Sequence, residues 1–145
     1  MSTIRLLAFD YGKKFIGVAV GNTTSGTAQG LTTLQGKNHS PDWDKIDQLF
    51  QEWRPDALVL GLPLNMDGTD TGITPQVRKF GDKLKDRYNR PVHMVDERLS
   101  SQTAKNRLTE TGVSLKRSNK SKIDMLAAQT ILQSFLDDHA GTELG

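Results

Sequence analysis

Three β-rich runs follow one another at the start of the chain, before any helical pattern begins. They cover residues 4–10, 15–20 and 27–34. Consecutive strands with no helix between them typically pair as an antiparallel meander. Two later apolar strands, at 57–60 and 91–95, alternate with helices, which favours parallel pairing with the first strand through right-handed crossovers. The order of elements therefore predicts a single mixed sheet of five strands.

Helical periodicity and end signals complete this prediction. Ser40-Pro41 combines a capping hydroxyl with a proline suited to the first helical position. The predicted helices run from Pro41 to before Pro55, from Thr74-Pro75 onward, from Ser100 or Ser101 to Gly112, and from about Lys122 to His139. The predicted class is α/β with the ribonuclease H-like fold, a five-stranded sheet in the spatial order 3-2-1-4-5 flanked by helices. We expect one domain spanning residues 1–145.

Asp10 stands where the first strand ends. Leu6 and Ala8 share its face, while Leu7 and Phe9 point to the other face, so the strand is apolar on both sides. A carboxylate in such a desolvated place needs a cation or hydrogen bonds to stay ionised. The alternative is an aspartate that braces the following turn.

Glu97 follows the fifth strand in the same way. In the predicted order that strand lies two positions from the first, a distance of roughly 10 Å, and both strands end at the edge where ligands gather in open α/β sheets. Glu97 and Asp10 are therefore expected at one edge. An exposed acid paired with Arg98 or Lys105 is the alternative for Glu97.

Asp124 is the third candidate acid. In the last helix it shares a stripe with Ala127, Ala128 and Ile131. An acid on the inward stripe of a helix requires a reason, and metal binding supplies one. The alternative is a capping box, in which Ser121 is the N-cap and Asp124 satisfies a free backbone amide.

Three carboxylates without a cysteine or a histidine cluster predict a site for a hard, oxygen-loving cation, Mg²⁺ or Mn²⁺. These residues permit hydrolysis of a phosphodiester by two metal ions about 3.5–4 Å apart. In that arrangement Asp10 bridges both ions, while Glu97 and Asp124 each complete the shell of one. Asp10, Glu97 and Asp124 are thus the predicted catalytic and metal-binding residues.

Basic residues cluster between positions 98 and 122, where Glu110 is the only acid. Such a segment leading towards carboxylates is expected to contact the phosphate backbone of a nucleic acid, the alternative being a solvated loop. The predicted nucleic-acid-binding residues are Lys13, Lys14, Arg98, Lys116, Arg117, Lys120 and Lys122. The loop from Gly61 to Gly72 is expected to contact substrate, or else to form only a turn at Asp67-Gly68.

The composition excludes several other classes. The absence of cysteine rules out disulfides and thiolate metal sites and fits a reducing compartment. We find neither a signal peptide nor an apolar run of membrane-spanning length, so no membrane partner is expected.

Four motifs in this order resemble the YqgF/RuvX family of Holliday junction resolvase-like proteins, associated with nuclease action on pre-16S rRNA. They are Leu7-Ala8-Phe9-Asp10-Tyr11-Gly12 with Gly17-Val18-Ala19-Val20, Gly61-Leu62-Pro63-Leu64-Asn65-Met66-Asp67-Gly68-Thr69, Asp96-Glu97-Arg98-Leu99-Ser100, and Lys120-Ser121-Lys122-Ile123-Asp124 before Ala127-Ala128. The resemblance covers residues 4 to 136.

This resemblance implies a ribonuclease H-like, metal-dependent nuclease of the cytoplasm that acts in ribosome biogenesis. By this resemblance, the expected catalytic acids are Asp10, Glu97 and Asp124. The expected partner is nucleic acid, with pre-rRNA as the first choice, together with ribosomal precursor particles. One departure concerns the wider resolvase group, in which an acid is expected at the end of the fourth strand. Here that place is Gly61-Leu62-Pro63, so resolvase activity does not follow from the fold.

Alternatives from other functional classes stay open. The closest in reaction is a Holliday junction resolvase-type DNA endonuclease, which would take branched DNA. A non-catalytic RNA-binding factor with a decayed nuclease fold is another. Asp10, Gly12 and Gly17 also loosely fit the phosphate-binding turn of actin-like ATPases and sugar kinases, but those proteins need two such domains and this chain predicts one. No P-loop is present, because the glycines of residues 21–28 lack the lysine.

Overall fold

The computed structural model describes residues 3–12, 14–36, 40–97 and 120–138, with the side chains of 120–124 outside that description. The elements are β1 (Arg5–Tyr11), β2 (Phe15–Asn22), β3 (Ala28–Gln35), α1 (Trp43–Trp53), β4 (Ala57–Leu62), α2 (Thr74–Tyr88), β5 (Val92–Asp96) and α3 (Lys120–Asp138). The helix predicted from Ser100 or Ser101 to Gly112 lies outside the described residues. Of the helices described, none has the length and apolar character needed to cross a membrane.

The sheet has the predicted order, β3-β2-β1-β4-β5. β1 and β3 both run antiparallel to β2, and β4 runs parallel to β1 and to β5. Strands β1, β4 and β5 therefore end at the same edge, which we call the carboxyl edge. β3 ends there too, because two antiparallel pairings return it to the direction of β1.

Alternation along β1 divides the core into two layers. Leu7 and Phe9 face α1 and α2, whereas Leu6 and Ala8 face α3. The α3 layer is lined by small residues at Ala8, Ala19 and Ala57, so this helix packs closely on the sheet. Both layers exclude water from the centre of β1, as its apolar pattern predicts.

The start of α1 differs from the prediction. The helix begins at Trp43 rather than at Pro41, because Asp42 is its N-cap and accepts a hydrogen bond from the Lys45 amide at 3.3 Å. A carboxylate three residues before that amide competes successfully with the Ser40 hydroxyl as the capping group. α2, in contrast, begins at Thr74 with a proline in its first turn, as predicted.

Candidate active site

Two carboxyl groups meet at the carboxyl edge. Asp10 is the penultimate residue of β1, and Glu97 directly follows β5. Although β4 lies between these strands, the Asp10 and Glu97 side chains form a hydrogen bond with each other. The longer glutamate side chain thus closes the gap of two strand spacings that the sequence analysis predicted.

Gly61, on the intervening strand β4, leaves the space that this contact requires. The β1–β4 pairing aligns Phe9 with Leu60, and continuing that register puts Asp10 beside Gly61. A Cβ atom at Gly61 would lie 2.6 Å from Oε1 of Glu97. Any larger residue here would therefore push Glu97 away from Asp10.

Sequence reasoning treated Gly61 as the place of a missing acid and as the first residue of a loop, whereas the structure puts it inside β4. In the structure this position supplies no ligand but lets the carboxylate of Glu97 pass over the sheet. A signal for this role was present, since a glycine inside a buried strand often marks a close approach by another group. The signal did not say which group approaches.

The electrostatics of the pair follow from burial and from like charge. Desolvation of Asp10, then its hydrogen bond with Glu97 and the repulsion from that residue, raise the pKa of the Asp10 carboxyl from 3.8 to about 9. A hydrogen bond between two carboxyl groups also requires a proton, and the raised pKa of Asp10 keeps one on the pair at neutral pH. A cation placed between them would remove the need for that proton.

We expect Gly61→Ala to lower the pKa of Asp10. The new methyl would displace Glu97 and so remove the hydrogen bond and the like charge that raise the Asp10 pKa. We expect the pKa to fall by about one unit or more. The fold should adapt, because the colliding atoms, Oε1 of Glu97 and Cδ1 of Ile131, end flexible side chains. The measurement is a ¹³C NMR titration of the Asp10 carboxyl.

The matched control for this titration is Gly72→Ala. No atom lies within 4 Å of a Cβ built at Gly72, so this variant should leave the Asp10 pKa unchanged. An unaltered Asp10 pKa in folded Gly61→Ala would mean that Gly61 does not position the pair.

The third predicted acid, Asp124, lies in the first turns of α3. The helix runs from the carboxyl edge towards the opposite edge, because Gln129 bonds Gly30 of β3 while the later Gln133 bonds Ala28. Its start therefore lies on the side of the Asp10–Glu97 pair. Position 124 lies on the same helical stripe as Ala128 and Ile131. That stripe faces Gly61, because a Cβ atom built at Gly61 would lie 2.5 Å from Cδ1 of Ile131.

The capping-box alternative for Asp124 is not supported by the helix boundary. α3 is already helical at Lys120, so Ser121 lies inside the first turn and not at the N-cap. Among the described side chains, two predicted acids converge at this edge and no group of three does. The side chain of Asp124 is outside the description, and its ligand role stays a prediction.

The predicted nucleic-acid-binding residues are described only in part. Lys14 is exposed in the turn between β1 and β2. The backbone places Lys120 and Lys122 in the first turn of α3. Lys13, Arg98, Lys116 and Arg117 lie outside the described residues.

The segment after β4 is a braced hairpin. Leu64 pairs with Asp70 in an isolated bridge, and the Asn65 amide group donates to the Thr69 hydroxyl and to the Asp70 carbonyl, each at 3.0 Å. Met66 stands at its tip and is 86% exposed. The predicted turn at Asp67-Gly68 is present, and it forms part of a built loop beside the carboxyl edge.

Comparison with known proteins places these features in a family. The model of the RuvX family, described as Holliday junction resolvase, matches residues 4–138. A protein of Aeromonas hydrophila subsp. hydrophila named "Putative pre-16S rRNA nuclease" is 45% identical over 141 residues, covering 97% of this chain and all of that protein. A protein of the same name from Yersinia enterocolitica is 40% identical over 97% of this chain and all of its own length.

Solved structures support the fold. RuvC of T. thermophilus in complex with a Holliday junction substrate aligns with a TM-score of 0.57 at 14% identity, covering 96% of this chain and 97% of RuvC. The yeast mitochondrial Holliday junction resolvase Ydc2 aligns with a TM-score of 0.52 at 10% identity, over 94% and 81% of the two chains. These likenesses, together with the sheet order, confirm the predicted ribonuclease H-like fold.

Proposed function

The chain belongs to the RuvX family, and we propose that it is a metal-dependent nuclease that hydrolyses phosphodiester bonds of pre-16S rRNA during ribosome biogenesis. The observation that carries this proposal is the contact between Asp10 and Glu97 at the carboxyl edge of a ribonuclease H-like sheet. Relatives at 40–45% identity that are named for action on pre-16S rRNA support the choice of substrate.

The donor set fits a hard divalent cation. Asp10 and Glu97 offer carboxylate oxygens, and their mutual hydrogen bond needs a proton that a cation would replace. Carboxylate oxygens are the preferred ligands of Mg²⁺ and Mn²⁺, and the chain has no cysteine to favour a softer metal. In our proposal Asp10, Glu97 and Asp124 would hold the divalent ions.

The chemistry that two divalent ions supply in such a site is activation of a water molecule and stabilisation of the leaving oxygen. The chain's own contribution is positioning. β1 and β5 hold Asp10 and Glu97 on rigid strand ends, and Gly61 keeps the path between them open. α3 begins on the same side, which supports the proposed ligand role of Asp124.

The substrate backbone is proposed to contact the basic residues that the sequence analysis singled out. Lys14 is exposed in the turn between β1 and β2, four residues after Asp10. Lys13, Arg98, Lys116, Arg117, Lys120 and Lys122 are the further proposed phosphate contacts. Met66, exposed on the braced hairpin after β4, is proposed to touch the bases, because a thioether side chain packs readily on flat apolar surfaces.

The resolvase alternative receives support from the fold and from the description of the family as Holliday junction resolvase. The end of β4 carries Gly61 in place of the acid expected in the wider resolvase group, and the space is used by Glu97. The proposal therefore ranks pre-rRNA above four-way DNA junctions as the substrate.

A panel of substrates tests this function. Purified protein with Mn²⁺ is incubated with labelled pre-16S rRNA, linear DNA and four-way DNA junctions, beside Asp10→Asn. We expect cleavage of the rRNA precursor by the wild type and none by the variant. Preferential cleavage of the junction would favour the DNA resolvase, and RNA binding without any cleavage would favour the non-catalytic factor.

A further inference from the structure

A basic groove opens on the face of the sheet opposite the Asp10–Glu97 pair. Its volume is about 580 Å³, and its walls are Tyr11, Lys14, Pro41, Gln76, Lys79, Phe80 and Lys83. Asp10 shares the α3 face of β1 with Leu6 and Ala8, so the next residue, Tyr11, turns towards α1 and α2. The groove and the acidic pair are thus adjacent along β1 but separated by the sheet.

The helical spacing of α2 builds one wall of this groove. Gln76, Lys79, Phe80 and Lys83 recur at intervals of three and four residues and so share one face of the helix. Phe80 is buried, with its ring 4.9 Å from that of Tyr11. Gln76, Lys79 and Lys83 are exposed, so they form a polar rim above an aromatic floor.

The lysines of the groove are not neutralised within the described part of the chain. Neighbouring arginines on α2 are paired, Arg78 with Asp70 and Arg87 with Asp47, each at 2.6 Å. No described carboxylate lies within ion-pair distance of Lys14, Lys79 or Lys83. Three cations therefore face one concave surface, which attracts an anion.

The dimensions favour an extended polyanion over a single phosphate. Gln76 and Lys83 are seven residues apart on α2, or about 10 Å at 1.5 Å per residue. Lys14 adds a third cation at the turn that follows Asp10. A chain of phosphates can contact Gln76, Lys83 and Lys14 at once without drawing their side chains together, which a single phosphate would require.

We propose that this groove binds the phosphate backbone of the nucleic-acid strand that flanks the cleavage site. The inference rests on the proposed function for the identity of the strand. A strand whose scissile bond lies at Asp10 passes over the carboxyl edge at Tyr11 and continues between Lys14 and Lys79. The groove holds the strand without touching the reacting phosphate.

The test is the salt dependence of binding to a labelled single-stranded RNA oligonucleotide. It compares Lys79→Ala/Lys83→Ala with the matched control Lys45→Ala/Lys85→Ala, which removes two exposed lysines that do not line the groove. Both pairs are placed in the Asp10→Asn background so that binding is measured without cleavage. The groove variant should flatten the log–log salt slope by about 1.4 and weaken binding at low salt on the order of tenfold. The control should bind like its parent.

Further arms separate the outcomes. Thermal unfolding checks that both double variants are folded. Lys83→Glu is a second groove variant, and we expect it to lose more RNA affinity than the alanine replacements because it adds a negative charge. A groove variant that keeps the parent's slope and affinity would overturn the inference. So would competition by AMP or inorganic phosphate at the same affinity as the oligonucleotide, because the groove would then be a mononucleotide pocket.

The same variants distinguish failure of the groove from failure of the proposed function. With Asp10 intact, the groove variant should cleave saturating RNA at nearly the wild-type rate but require more RNA to saturate. RNA binding that depends on the groove in a protein that cleaves nothing would refute the nuclease and leave the groove standing. Normal cleavage with unchanged saturation would refute the groove alone.

Discussion

Asp10→Asn is expected to reduce cleavage on the order of a thousandfold or more while the protein stays folded. The amide keeps the size of the carboxyl group and can still donate a hydrogen bond to Glu97. It cannot provide the anionic oxygen that a divalent cation needs. The measurement is the single-turnover rate on pre-16S rRNA with saturating Mn²⁺, beside Asp86→Asn, an exposed control on α2. A wild-type rate in Asp10→Asn would remove Asp10 from the catalytic group.

Two further replacements extend this experiment to the other acids. Glu97→Gln should lose most cleavage, because the amide removes the negative charge of the partner of Asp10. Asp124→Asn should do the same if its carboxylate completes the shell of one ion. A wild-type rate in Asp124→Asn would end its catalytic role and leave it as a helix residue near the edge.

The pH dependence of stability provides a second test of Asp10→Asn, because it reports the proton that the folded protein keeps on Asp10. In the metal-free protein the folded state keeps the Asp10 proton up to about pH 9, whereas the unfolded chain loses it near 3.8. Between these values the unfolded state binds fewer protons, so the free energy of unfolding falls as the pH rises, by at most about 1.4 kcal/mol per pH unit. Asparagine does not titrate. The variant should therefore gain stability relative to the wild type across this window, as measured by urea unfolding with a chelator present.

Removal of divalent ions is the second change for which we expect a large effect. A chelator should reduce cleavage to background, and added Mg²⁺ or Mn²⁺ should restore it, because the proposed ligands are carboxylates. Ca²⁺ should support RNA binding without turnover, since it accepts more ligands in a looser geometry than catalysis requires. The measurement is the cleavage rate in parallel with RNA affinity.

The control for this experiment is the same chelator already saturated with Mg²⁺, which should leave the rate intact. Full activity in excess free chelator would overturn the metal mechanism. It would leave the groove untouched, because Lys79 and Lys83 act on phosphates without a metal in our proposal.

Local patterns were sufficient to predict the sheet. Alternation along β1 assigned Leu6 and Ala8 to the face of Asp10, and the structure confirms that division. The order of strands and helices predicted the spatial order 3-2-1-4-5, because crossover handedness and strand direction leave few topologies. The alternation of side chains and the order of strands and helices can both be read directly from a sequence.

Local competition explains the wrong start of α1. Ser40 and Asp42 can both cap a helix, and they lie two residues apart. The structure uses Asp42, whose side chain accepts from the Lys45 amide. Which group caps depends on how the chain arrives from β3, and propensity alone does not contain that information.

The basic groove shows a different limit. Lys79 and Lys83 look like ordinary solvated residues of an amphipathic helix, and Lys14 lies more than sixty positions earlier. Only the packing of Phe80 against Tyr11 brings the turn after β1 beside α2. A shared surface of this kind arises from contacts distant in sequence.

For the Asp10–Glu97 pair, too, one part was predictable from the sequence and another part depended on the tertiary structure. The sequence by itself determined that Asp10 and Glu97 lie at the ends of strands that finish at one edge, because strand order and direction are encoded in the periodic pattern. Only the tertiary structure decided that the two carboxyl groups touch. Their contact depends on the register of three strands and on the missing side chain of Gly61, where a Cβ would lie 2.6 Å from Oε1 of Glu97. Distances of that size are set by packing, which no single segment of the chain specifies.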